Sequence, residues 1–178
     1  DSSQFNIFIG VNSGNGAWVT AVSQYNVGVG SYTLDGAMNG AVNNTAVGHK
    51  GLSAITTGDS NVAVGYQSGL ALTTGHSNVI IGENAGSTAT TQLTNSVLIG
   101  NDAGQTAISA NHVFIGDHAG YSAVFNHGQV FIGYYAGAVI TSGERNTAIG
   151  YQALDSADDC DDSIAIGYQA LSGTDTGT

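Results

Sequence analysis

The chain has no proline, a single cysteine and only two basic residues, Lys50 and Arg145. Each scarcity excludes something. A chain without proline contains nothing that interrupts a hydrogen-bonded ladder running on both sides of a strand. One thiol, Cys160, rules out an internal disulfide framework and a cysteine-rich zinc site. Two basic residues against thirteen acidic ones give a formal net charge of -11. A nucleic-acid surface requires clustered Lys and Arg, so nucleic acid and anionic membranes are excluded as expected partners. No apolar run of about 18 residues is present, so no membrane insertion is expected. Asp1 opens the chain without a signal-like segment, which reads as a mature form or an excised fragment.

Charged residues make up only 8% of the 178, yet 42% are hydrophobic and 27 are glycine. That hydrophobicity argues against disorder. The apolar residues fall in a repeated word: a polar residue, three mostly apolar residues, then glycine. Its glycines are Gly10, Gly30, Gly48, Gly65, Gly82, Gly100, Gly116, Gly133, Gly150 and Gly167, at intervals of 20, 18, 17, 17, 18, 16, 17, 17 and 17. The repeats run from about residue 6 to 171, so residues 1–178 read as one domain. The irregular first repeats, 1–43, are a candidate cap.

Aligned on the glycine, the repeats form columns. Immediately before it stand Ile9, Val29, Val47, Val64, Ile81, Ile99, Ile115, Ile132, Ile149 and Ile166; three before it stand Ile7, Val27, Thr45, Val62, Val79, Val97, Val113, Val130, Thr147 and Ile164. Residues two apart share a strand face, and β-branched residues favour strands. One repeat of about 17 residues cannot bury its apolar face alone, but stacked copies can. The expected fold is all-β: a β-solenoid or parallel β-roll of about ten coils, roughly 48 Å long at about 4.8 Å per coil. A small residue three after the glycine, such as Ala85 or Ala103, predicts a second, closely packed extended segment. Turn stretches such as "TTGDSN" (Thr56 to Asn61) are expected to use glycine at positive φ. The column four before the glycine, mostly Asn, predicts a hydrogen-bonded ladder.

The middle column holds Phe8, Gly28, Ala46, Ala63, Ile80, Leu98, Phe114, Phe131, Ala148 and Ala165. With the Ile and Val columns assigned to the interior, this column faces outward. It has no polar side chain, so Phe8, Ile80, Leu98, Phe114 and Phe131 are predicted to form an oligomer interface on a shared axis.

The words "NTAIGYQAL" (Asn146 to Leu154), "SIAIGYQAL" (Ser163 to Leu171), "NVAVGYQSGL" (Asn61 to Leu70) and "NTAVGHKGL" (Asn44 to Leu52) resemble repeats of bacteriophage and large-virus tail-fibre proteins. They are also similar to the shorter "NSVAIG"-type repeats in the heads of trimeric autotransporter adhesins. The resemblance spans Asn6 to Leu171. It implies a parallel homotrimer and a structural role, with no catalytic residues, in a virion fibre or at a cell surface.

Several residues are candidates for chemistry. Tyr66, Tyr134, Tyr151 and Tyr168 directly follow the motif glycine, and with Gln152 and Gln169 they form a candidate binding edge for a receptor or glycan. Asp155, Asp158, Asp159, Asp161 and Asp162 are a candidate site for a hard cation such as Ca²⁺, although the spacing lacks the EF-hand pattern. Glu83, Asp102 and Asp117 are the carboxylates best placed for a glycoside-cleaving pair, but they read as a solvated edge. His49, His76, His112, His118 and His127 share no column with ligand spacing. No cofactor is therefore expected. The functional expectation is a non-enzymatic attachment module of a trimeric fibre or adhesin. Its longer loops, Val11 to Tyr25, Gly86 to Asn95 and Gly120 to Gly128, are expected to make receptor contacts. The alternatives are an ice-binding solenoid, disfavoured because Thr forms no continuous column, and a self-assembling extracellular filament subunit.

Overall fold

The computed structural model describes residues 5–16, 21–89, 93–107, 109–123, 127–156 and 160–173. Each motif copy contributes one three-residue strand. These are β1 (Ile7–Ile9), β2 (Val27–Val29), β3 (Thr45–Val47), β4 (Val62–Val64), β5 (Val79–Ile81), β6 (Val97–Ile99), β7 (Val113–Ile115), β8 (Val130–Ile132), β9 (Thr147–Ile149) and β10 (Ile164–Ile166). All ten pair in parallel, in sequence order, in one sheet. The register aligns each motif position with itself, as in Phe114 with Phe131. The chain is therefore a β-solenoid with one strand per coil, and no helix occurs among the described residues.

The strand faces are the reverse of the sequence expectation. Ala46, Ala63, Ile80, Leu98, Phe114, Phe131 and Ala148 are completely buried inside the coil, and Phe8 packs against that core. The Ile and Val columns point outward: the strands from β5 to β9 all show a buried centre between two half-exposed flanks. Phe8, Ile80, Leu98, Phe114 and Phe131 are thus core residues, not an oligomer interface.

The variable middle column is compensated within each coil. Where it is large, the residue six later is glycine: Phe8 with Gly14, Ile80 with Gly86, Leu98 with Gly104, Phe114 with Gly120, Phe131 with Gly137. Where it is small, that residue is usually leucine: Gly28 with Leu34, Ala46 with Leu52, Ala148 with Leu154, Ala165 with Leu171. Ala63 with Gly69 is the exception, and there Leu52 and Ile80 from the flanking coils close in on Gly69. A Cβ on Gly137 would lie 2.5 Å from the Phe131 ring. Close packing at constant cross-section explains the pairing, because interiors tolerate neither voids nor overlap.

After the motif glycine the chain makes consecutive tight turns where the sequence suggested a second extended segment. In the seventh coil Ala119 N–H donates to Gly116 O (3.3 Å) and Tyr121 N–H to His118 O (3.2 Å). Residues two and four after the glycine are left-handed in every coil, as at His118 (φ 57) and Gly120 (φ 61). The motif glycine lies at φ 127 to 140, which only glycine adopts readily. Gly58 and Gly75, in the "TTG" turns, are not at positive φ; Ser60 (φ 58) and Ser77 (φ 60) are. Those two glycines are needed because a Cβ would overlap a carbonyl oxygen of the next coil.

The polar column forms the predicted ladder, and it lies inside. Asn44 Nδ2 donates to Asn26 Oδ1 (3.1 Å), Asn61 Nδ2 to Asn44 Oδ1 (3.0 Å) and Asn78 Nδ2 to Asn61 Oδ1 (2.9 Å). Each also donates across its own coil, as Asn61 does to Gly75 O (2.8 Å). Ser96 and His112 interrupt the amide column, and Gln129 and Asn146 resume it.

Candidate functional site

Two surface features border each other at the end of the strands. The first is the outward sheet face, two side chains wide, of Val and Ile with Thr45 and Thr147. It carries no charged or aromatic residue along ten strands. Exposed strands normally alternate apolar with polar, so an apolar outer face requires a reason.

The second is the edge that follows the motif glycine. Tyr134, Tyr151 and Tyr168 occupy the same position in successive coils, and the strand register places them above one another. Tyr134 and Tyr151 stack with centroids 5.0 Å apart, and Tyr151 and Tyr168 with centroids 5.3 Å apart. Gln169 Nε2 donates to Gln152 Oε1 (3.0 Å) alongside them. Five of the six candidate edge residues thus sit in one strip, and Tyr66 does not. It lies several coils away, stacked on His49 with centroids 5.5 Å apart.

The strip extends to residues that spacing alone did not single out as a group. Tyr135 packs beside Tyr134 (centroids 4.6 Å apart) and stacks on His118 (4.5 Å), which in turn stacks on Tyr121 (5.0 Å). The signal was present: His118 and Tyr135 are one period apart, at the second position after their glycines. His118 Nδ1 bonds Asp117 Oδ1, and its Nε2 faces Asp102 Oδ2 at 3.7 Å. Asp102 also accepts from Gln105 Nε2 (2.7 Å). Glu83 lies exposed on the same edge.

At Asp161 and Asp162 the acidic loop is occupied by the chain's own groups. Asp161 Oδ1 accepts from the Glu144 backbone N–H (2.7 Å), and Asp162 pairs with Arg145 Nε (2.6 Å). The Arg145 hydrogen bond and charge hold the Asp162 carboxyl below the usual carboxylate range, and Asp162 in turn raises Arg145. Asp158 and Asp159 lie outside the described residues, as do parts of the three long loops. Among the described residues no three His, Cys, Asp or Glu are gathered to hold a metal ion. Cys160, the sole cysteine, is half-buried against the core. His112 is buried in the polar column with Nε2 at 2.8 Å from Ser109 Oγ.

Comparison with protein-family models, with curated proteins and with solved structures finds no match. Among the described residues no helix is long and apolar enough to cross a membrane.

Proposed function

We propose that this chain is a non-enzymatic structural and attachment module: the β-solenoid part of a trimeric fibre or surface adhesin, on a virion or at a cell surface. The observation that carries this reading is the charge-free Val and Ile face. Nine strand spacings of about 4.8 Å and a three-residue strand width of about 10 Å give a strip of roughly 430 Å². That is a contiguous apolar patch of the size that marks an interaction surface, about half of the ~800 Å² per partner of a standard interface. A surface with a regular strand repeat is matched by another with the same repeat, which a second copy supplies. A strip only two side chains wide suits three copies converging on one axis.

In this reading the function is mechanical. The ten-strand ladder and the buried amide column stiffen each chain, and the shared apolar face binds the chains into a rod. The turns and edges on the outside carry the contacts. Sedimentation equilibrium tests it: the expected mass is three times 17.9 kDa, about 54 kDa, and a 17.9 kDa species at micromolar concentration refutes the trimer. A second reading has one observation in its favour. The outward face repeats regularly from coil to coil, as an ice-binding surface must, although it presents Val and Ile in place of continuous rows of Thr. Thermal hysteresis in a dilute solution supports that reading, and its absence removes it.

A further inference from the structure

The aromatic strip has a use beyond holding coils together. Position one after the motif glycine is Ser31, Glu83, Asn101 or Asp117 in other coils, so the fold does not need a ring there. Yet the last three coils place Tyr134, Tyr151 and Tyr168 in one stack, 43%, 44% and 73% exposed. The rings of Tyr134 and Tyr151 cover each other's faces, so the strip offers ring edges and phenolic hydroxyls in a row. Beside this row the bonded amides of Gln152 and Gln169 provide further donors and acceptors. Over these three coils the strip carries no charge, and a net charge of -11 surrounds it.

We propose that the strip from Tyr134 to Gln169 binds an extended, neutral, hydroxyl-rich polysaccharide chain lying along the stack. Tyrosine joins an apolar ring edge to a polar tip, which suits a sugar's mixture of C–H and O–H groups. The Tyr-Gln pair recurs unchanged one coil apart, at 151–152 and 168–169. Identical subsites at a constant repeat fit a polymer of identical units better than the irregular surface of a folded protein. The acidic balance disfavours sulfated or carboxylated glycans. This inference rests on the attachment reading and assigns its ligand class.

The test is titration of the full chain with a panel of linear neutral hexose hexasaccharides and one sulfated hexasaccharide, followed by calorimetry. At least one neutral member is expected to bind. Tyr151→Ser with Tyr168→Ser is expected to weaken binding at least about tenfold. Tyr151→Phe with Tyr168→Phe keeps the stack and removes the hydroxyls, and is expected to weaken it severalfold even if the serine variant fails to fold. Tyr66→Ser, outside the strip, should leave affinity unchanged. Failure of every neutral member to bind, equal affinity in the phenylalanine variant, or preference for the sulfated probe overturns the inference. The mass in solution is read on the same sample, so a trimer that binds no neutral glycan sinks this inference and leaves the fibre reading standing.

Discussion

The pairing of Phe131 with Gly137 supports a quantitative test of how the coil is filled. Phe131 is fully buried and stacks on Phe114 with centroids 5.1 Å apart. Phe131→Ala leaves a void in a close-packed interior and is expected to cost about 3–5 kcal/mol, of which ~0.5–1.5 kcal/mol is the lost aromatic pair. Gly137→Leu alone drives a side chain into the Phe131 ring, only 2.5 Å from the would-be Cβ, and is expected to be at least as damaging. The two together recreate the arrangement one coil later, where Ala148 accompanies a buried Leu154. The backbone already permits it, because Leu154 has φ 56 where Gly137 has φ 58. The double variant therefore only moves the boundary between a phenylalanine coil and a leucine coil. It should recover to within about 2 kcal/mol of the parent, the residue being the lost stack and about 1 kcal/mol for a left-handed leucine. Urea denaturation followed by far-UV circular dichroism measures all four chains, with an expected coupling of about 3 kcal/mol or more between the sites. If the double variant is no more stable than the weaker single one, the two residues do not share one enclosed volume.

Other perturbations separate the remaining elements. Asn61→Ala removes the acceptor for the Asn78 side-chain and backbone N–H groups and the donor to Asn44 and Gly75, all buried, and should cost about 2–4 kcal/mol in the same denaturation assay. Gly116→Ala forces an L side chain to φ 140 against the carbonyl of Gly133 and should lower the melting temperature more than any surface glycine change, by over about 3 kcal/mol equivalent. Because Arg145 lowers the folded pKa of Asp162, that pair adds stability above the unfolded carboxylate pKa of about 3.9 and loses it as pH falls through the lower folded value. Asp162→Asn should therefore flatten the acid limb of a melting-temperature profile between pH 5 and pH 2, slightly and less so in high salt, since the pair is exposed.

The period, the strand bounds and the polar ladder were all legible in the sequence, because each is a matter of spacing. Every strand falls on the three residues before a motif glycine. The direction of those residues was not legible by the usual rule. Alternation identifies the inside when the other face is polar, and here both faces are apolar. Ranked by size and branching, Val and Ile look more like core than Ala148 or Gly28 do. Two features point the other way. Position four before the glycine shares a face with position two before it, so an Asn ladder that must be shielded to be firm places the middle column inside with it. The exchange of Phe131 and Gly137 for Ala148 and Leu154 is the mark of residues that share one enclosed volume. The edge was half legible: Tyr134, Tyr151 and Tyr168 stand out by column, whereas His118 and Tyr135 join them only through left-handed turns that a strand-period reading does not anticipate.

Two neighbouring residues of β7 decide which way the strand residues point. Phe114 is buried inside the coil, and Ile115 faces out. Far-UV circular dichroism of Phe114→Glu beside Ile115→Glu makes the comparison directly. A carboxylate forced into the coil interior costs several kcal/mol, so Phe114→Glu is predicted to lose the β spectrum at 25 °C, while Ile115→Glu weakens association of the chains but leaves the coil interior intact and keeps the spectrum. A folded Phe114→Glu beside an unfolded Ile115→Glu contradicts the account.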